Sequence, residues 1–264
     1  MNLYQSSIYS KNEVWEWLSP DRLDLFEKNC NRYSNESLTY YQENPIKYRF
    51  NNYGFRSYDD FDDKNEGNIF LGCSHTLGVG HHLENTWAYK LNDYIGGKFW
   101  NLSQSGSGIQ TAFRLLYGFK DYLKIKNIFH LSLFHPRYEY LQKDRVIKLA
   151  NWQIDDDLGT DNEGTILTYW DDGKEKTTKI NSFKEFYVNI LGDSSHSNFT
   201  NQSYIYAIKG LSKEIGCNYY NISSLGEKDD TLEARDLIHS TVGQQNFIYE
   251  KFKKIWQPVR KKIF

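Results

Sequence analysis

The run Asn68–Gly80 reads NIFLGCSHTLGVG. Its apolar segment, Ile69-Phe70-Leu71, has the character of a buried strand, and it is cut off at Gly72, with Ser74 two residues on and further glycines at positions 78 and 80. Ser74 is therefore expected at the carboxyl end of a strand, where a loop or helix begins. In open parallel sheets ligands bind at that edge, because backbone N–H groups point outward there and nothing covers the crevice. Ser74 is a candidate nucleophile on this ground. A helix cap or a turn is the commoner reason for such a serine. A nucleophile needs a base, an acid to orient it and oxyanion donors from elsewhere in the chain.

Working outward toward the carboxyl end, a loop carrying His75, His81 and His82 leads to a helix from about Thr86, in which Trp87, Leu91, Tyr94 and Ile95 recur on one face. Gly96-Gly97 ends it. Lys98–Ser103 (KFWNLS) reads as a second strand and empties into QSGSG, where Gly106 and Gly108 precede a helix with Ile109, Ala112, Phe113, Leu116 and Leu123 on its apolar side. A third strand, Asn127–Leu133, ends in FHPR. Three strands alternating with helices over about 65 residues imply a parallel sheet with right-handed crossovers.

Beyond the third strand the alternation breaks. Residues 137–182 are polar, with an acidic run Asp155–Asp157 and a hairpin, TILTYW and TTKI, joined through Asp172-Gly173. The segment reads as an insertion or lid. The acidic run has no ligand-spaced partner and reads as a solvated loop rather than a cation site. Helices are expected again at Phe183–Leu191 and at Tyr204–Ile215, the latter with Tyr204, Ile208, Leu211 and Ile215 on one face. Cys217–Ile222 makes a fourth strand, and a last helix over Val242–Trp256 turns Ile248, Phe252 and Ile255 inward, ahead of a basic, frayed tail.

Toward the amino end, FNNYGFRSYDDF (residues 50–61) is rich in turn formers around Gly54, and its Arg56 reads as a structural ion-pair partner. Residues 1–45 read as a helical lead-in of two short helices, one opened by the capping box Ser10/Glu13 and one by Ser19-Pro20. No internal repeat or low-complexity linker divides the 264 residues, so a single domain is expected.

Composition narrows the classes without choosing one. With 34 acidic and 32 basic residues the net charge is −2, which gives no field for nucleic acid. Cys30, Cys73 and Cys217 are spaced for neither a disulfide framework nor a metal knuckle, so a reducing compartment is the default. The amino terminus does not read as a signal peptide, and no run approaches the ~20 apolar residues of a membrane span. A cytoplasmic location is expected.

Near the end of the chain, Asp236 and His239 are three apart just before a helix. In a tight turn that spacing lets a carboxylate hold the imidazole Nδ1–H while Nε2 faces a nucleophile, although a chance surface pair has the same pattern.

Together these stretches resemble the SGNH (GDSL) hydrolase family. Its first block, G-D-S-x-T-x-G, corresponds to Gly72-Cys73-Ser74-His75-Thr76-Leu77-Gly78, its second, an asparagine and a glycine five apart, to Asn101 and Gly106, and its last, D-x-x-H, to Asp236 and His239. The run Asn51–Arg56 (NNYGFR) is similar to a lead-in found ahead of this strand in some members. The resemblance implies a flavodoxin-like α/β/α sandwich whose members hydrolyse or transfer acyl groups with serine, histidine and aspartate and without a metal or cofactor. It implies Ser74 as nucleophile, His239 as general base, Asp236 as its orienting partner, and the backbone N–H groups of Ser74 and Gly106 as oxyanion donors.

Two departures stand out. Cys73 replaces the aspartate of the first block, and Ser132-Leu133-Phe134-His135-Pro136-Arg137 stands where the family carries the asparagine that is the third oxyanion donor. One lost donor costs about 10²–10³ in turnover, which slows an enzyme without abolishing it. His75, His135 and Arg137 are candidate substrate contacts at the rim. The expected function is a serine esterase on a small acyl ester, such as an acetylated carbohydrate. The alternatives are an O-acyltransferase using the same site and a catalytically weakened binding or structural protein.

Overall fold

A computed structural model of the chain describes residues 3, 11–134, 136–142, 145–150, 165–171, 174–180, 186–187 and 191–260. The lead-in contains two short helices, α1 (Leu23–Arg32) and α2 (Glu36–Glu43), but neither opens where one was expected. Ser10 lies outside the described residues, and Val14–Trp15 is a strand, β1, paired antiparallel with β2 (Tyr48–Arg49). Pro20 sits before the helix rather than at its first position, since α1 begins at Leu23. α2 is capped by Asn35, whose Oδ1 accepts the N–H groups of Ser37 and Leu38. Leu18, Phe26, Leu38, Tyr41, Ile46, Tyr48 and Phe50 form a cluster that closes over Leu77 and Val79, just after Ser74. The lead-in is thus packed directly under the loop of interest.

The central sheet is parallel and holds β3 (Glu66–Leu71), β4 (Lys98–Asn101), β5 (Lys124–Leu131) and a late strand, Asn218–Ile222, that lies beside β5. Across the sheet the order is late strand, β5, β3, β4. The chain therefore steps from β3 to β4 in one direction and then returns past β3 to β5. Right-handed crossovers in opposite directions must put their helices on opposite faces. They do: α4 (Trp87–Ile95), which follows the single-turn α3 (Ser74–Leu77), packs on one face through Trp87, Ala88 and Leu91, and α5 (Ile109–Phe119) packs on the other through Ile109, Ala112, Leu115 and Leu116. Strand residues alternate accordingly, Ile69 and Leu71 facing α5 and Phe70 facing α4. Both faces are covered, and the inner stretches of β3 and β4 accordingly read as short apolar runs, Ile69-Phe70-Leu71 and Phe99-Trp100.

The expected insertion contains a hairpin that the alternation did not reveal, β6 (Tyr138–Gln142) with β7 (Arg145–Leu149), as well as the expected one, β8 (Thr165–Asp171) with β9 (Lys174–Ile180). The first is pinned to α5 by Glu139, which binds Arg114 in a buried ion pair and accepts from Thr111. The acidic run 155–157, the turn at 172–173 and most of the helix expected at 183–191 lie outside the described residues. The helix expected from Tyr204 begins earlier, as α6 (Ser194–Ile215) capped by Asp193. It lies on the α5 face through Ile208 and Leu211, ahead of the late strand, β10 (Asn218–Ile222). The last helix, α7 (Val242–Arg260), lies on the α4 face through Ile248 and Phe252, whereas Ile255, expected inward, is 41% exposed.

Candidate active site

The reversal of strand order beside β3 opens a crevice at the carboxyl ends of β3 and β5, and Ser74 stands there as the first residue of α3. Its surroundings are built by Arg56, which the turn at Asn51–Phe55 delivers inward: Asn51 Oδ1 accepts the N–H groups of Tyr53 and Phe55, both at 3.0 Å. Arg56 is buried, and the expected ion pair is not what holds it. Its guanidinium donates to the carbonyls of Leu77 (3.0 Å), Gly78 (2.5 Å) and His81 (2.7 Å) and lies over the Tyr48 ring. One cation thereby ties three carbonyls of the loop together, one of which, that of Gly78, also accepts the His81 N–H at 3.1 Å.

The Asp236–His239 turn meets that loop from the far end of the chain. Gly80, at φ +76°, accepts the Arg235 N–H at 2.8 Å, and a Cβ on Gly80 would come within 2.8 Å of Ala234 Cβ and 3.0 Å of Arg235 N. Only glycine allows so close an approach. His81 Nε2 is hydrogen-bonded to the Ser240 carbonyl, which can only accept, so that nitrogen carries the proton. Burial pushes the His81 pKa down to about 4, and the imidazole is neutral at pH 7. Gln245 completes the clasp: its Nε2 donates to the His75 carbonyl (3.1 Å) and to Ser240 Oγ (2.7 Å), and its Oε1 accepts the Trp87 N–H at 2.8 Å.

Within the turn, Asp236 is 2% exposed; Oδ1 accepts the N–H groups of Ile238 and His239, and Oδ2 lies 2.6 Å from His239 Nδ1. Burial raises the carboxyl pKa, but the hydrogen bonds from His239 and the two backbone N–H groups outweigh it and hold the group below its ordinary value. A carboxylate only accepts, so Nδ1 bears the proton and Nε2 presents its lone pair. Leu237, between them, is held at φ +58°, a left-handed conformation rare for a branched side chain.

His75 follows Ser74 and its ring stands edge-on to that of His239, centroids 5.1 Å apart. The early and late loops therefore share one locus. Ser74 is 6% exposed, and among the described residues its hydroxyl and His239 are not hydrogen-bonded to each other. Such contacts are often long before substrate binds.

The second loop closes the other side. Asn101 is buried, accepts from Ser103 N–H and donates to the Thr76 carbonyl, so it braces the loops rather than facing outward. Gln104 N–H and Ser107 Oγ both reach the Gly72 carbonyl, at 3.3 and 3.1 Å, which places Gly106 (φ +66°) beside the Ser74 strand end. Among the described residues neither the Ser74 N–H nor the Gly106 N–H is given to an acceptor. Arg137 Nη1 donates to the Ser107 carbonyl at 3.3 Å. His135 lies outside the described residues. After the third strand, Ser132 Oγ accepts from Asn221 at 2.7 Å, a bond within the sheet edge. Cys73 is buried with a free thiol.

Three contributors escaped the sequence reading: Gln245, Lys148 on β7, which reaches Gln104 and Ser105, and Arg235, whose guanidinium is paired with the buried Asp21 and lies over Trp17. Gln245 reaches partners 158 and 170 positions away, Lys148 partners 43 and 44 away and Arg235 a partner 214 away, separations that leave no local pattern. Cavity volume does not coincide with this chemistry. A cavity of about 440 Å³ lies at the opposite edge of the sheet, near Gly67, Gly96 and Trp256, while the depression between Gly72 and Ser132 holds about 10 Å³. The convergence of ionisable groups marks the candidate site better than volume does. Among the described residues no cluster of His, Cys, Asp and Glu is arranged to hold a metal, and no helix is long and apolar enough to cross a membrane.

In comparisons with known proteins, no family model and no curated protein matches the chain.

Proposed function

We propose that the chain is a serine-dependent ester hydrolase of the SGNH type, with a flavodoxin-like α/β/α architecture, acting through an acyl-enzyme on a small acyl ester. The observation that carries this reading is the meeting of the Ser74–His75 loop with a buried, hydrogen-bonded Asp236–His239 pair from 160 residues further on. In this reading Ser74 Oγ attacks the ester carbonyl carbon while His239 Nε2 takes its proton, and Asp236 steadies the imidazolium that forms. The uncommitted N–H groups of Ser74 and Gly106 hold the oxyanion. As the tetrahedral intermediate collapses, His239 returns the proton to the leaving alcohol, and water then repeats the sequence on the acyl-enzyme. His75 and Arg137, with His135, would line the rim. The substrate in this reading is a short acyl ester such as acetyl on a carbohydrate. Transfer of the same acyl group to a sugar hydroxyl would make the protein an O-acyltransferase, and acceptor competition against hydrolysis separates the two.

A weakened, binding-only protein is the reading favoured by the residues after the third strand, where Ser132-Leu133-Phe134 carries no asparagine. A fluorophosphonate probe decides. Labelling of the wild-type chain that is lost in Ser74→Ala is expected, together with p-nitrophenyl acetate turnover that is lost in His239→Ala. Activity undiminished in His239→Ala would exclude this mechanism.

A further inference from the structure

The loop that carries Gly106 is held by a cation from the inserted hairpin. Lys148 Nζ donates to Gln104 Oε1 at 2.8 Å and to the Ser105 carbonyl at 3.3 Å. We propose that Lys148 is a positioning residue of the oxyanion site, whose ammonium, held on the Ser105 carbonyl, aims and polarises the N–H of Gly106. The inference rests on the hydrolase reading above.

Ser105 C=O and Gly106 N–H belong to one peptide unit, and that unit is trans. Its two polar ends point in opposite directions from one rigid plane. A cation at the oxygen fixes the plane's orientation and draws electron density from the nitrogen, so the N–H at the far end becomes a stronger donor. Among the described residues that N–H has no other acceptor. The effect falls where it is needed, since the asparagine expected to donate after the third strand is absent.

The insertion supplies the charge in a defined setting. Facing Lys148 are Glu139 on β6, Arg114 on α5 and Arg137 ahead of β6. Glu139 is already held by Arg114, so the loop faces three cations against one committed carboxylate. Burial lowers the Lys148 pKa most; Glu139 opposes it, the two arginines add to it, and the value comes to about 8. The ammonium is therefore present at neutral pH and is lost as the pH rises through about 8.

The test compares rates of fluorophosphonate labelling at Ser74 in wild type, Lys148→Met and Lys148→Arg across pH 6 to 10. In that reaction Ser74 Oγ bonds phosphorus, fluoride leaves with the P–F electron pair, the hydroxyl proton passes to His239, and the P=O oxygen uses the oxyanion donors. Lys148→Met is expected to label about tenfold more slowly at pH 7, less than the about 10²–10³ lost with a whole donor. Its rate is expected to show no alkaline decline. Lys148→Arg, permanently charged, is expected to keep most of the wild-type rate and hold it above pH 8, where the wild-type rate falls. If Lys148→Met does not fold, as read by circular dichroism, the alkaline limbs of wild type and Lys148→Arg decide alone. Identical limbs in these two proteins, or a Lys148→Met rate equal to wild type, overturn the inference and leave the hydrolase reading intact. No labelling of Ser74 in the wild type overturns both.

Discussion

At the residue scale, the candidate site depends on a few polar side chains that each satisfy several backbone groups at once. Arg56 serves three carbonyls of the loop after Ser74, and Gln245 ties that loop to the turn before α7. Gln245 also fills a vacancy at the first turn of α4, where the Trp87 N–H has no partner within its own helix. Replacing it with leucine keeps the bulk but removes the partner of a buried donor, at a cost of about 1–3 kcal/mol. The Gln245→Leu variant is therefore expected to show a lower urea midpoint and, because its amide also holds the His75 carbonyl, slower labelling at Ser74. An unchanged midpoint would mean that water replaces the amide. Asp236 illustrates the same economy: one oxygen orders its own turn while the other orients the imidazole.

At the element scale, the lead-in acts as a brace for the late loop. Asp21, just ahead of α1, binds Arg235 through both carboxylate oxygens, and Tyr48 of β2 joins the same carboxylate and accepts the Gly80 N–H. Arg235 immediately precedes Asp236, so the position of the acid–imidazole turn depends on a segment more than 200 residues earlier. Removing one partner of a buried pair leaves the other charge unsatisfied and costs about 3–5 kcal/mol. Asp21→Ala is accordingly expected to lower stability by that order in urea unfolding and to slow Ser74 labelling even where the protein remains folded. A loss of stability with labelling at the wild-type rate would confine the brace to a purely structural role. The hairpin β6–β7 is the second such element, docked through Arg114–Glu139 and extending Lys148 to the Gly106 loop.

At the scale of the whole molecule, His81 and His130 are both buried in neutral form. Burial takes His81 down to about 4 and His130, which meets the Tyr219 hydroxyl at 3.0 Å, to about 3. Their folded values lie below the ordinary 6.5, so between those limits the unfolded chain binds more protons than the folded one. Their contribution is complete above about pH 6.5 and is lost as the pH falls, by about 2 kcal/mol for each histidine at pH 5. Asp236, held below its ordinary value, adds a further loss at lower pH. The urea midpoint is expected to drop between pH 7 and pH 5, and to drop less in His130→Gln. A midpoint that stays level over that range would mean that neither imidazole is held neutral.

The parallel βαβ succession was legible in the chain because each strand is buried on both faces and each helix on one, and those burials write runs and periodicities of local length. The punctuation was legible for a related reason: Thr86 and Gly96 act within one helical turn of where they stand. Ser74 and the Asp236–His239 pair could be singled out by type and spacing, and the nearness of Gly106 to the strand end follows from the strand–loop–helix order. Local pattern misread the amino-terminal segment, where Val14–Trp15 forms a strand because Tyr48–Arg49 lies beside it. It gave no sign of hairpin β6–β7, of Asp21 beneath Arg235, of Gln245 across two loops, or of Lys148 on the Ser105 carbonyl. The sequence by itself determined which segments are strands and helices in the central sheet and which polar residues sit at their ends. Only the tertiary structure decided which of those ends meet, because the hydrogen bonds and ion pairs that join them depend on proximity in space and carry no period along the chain.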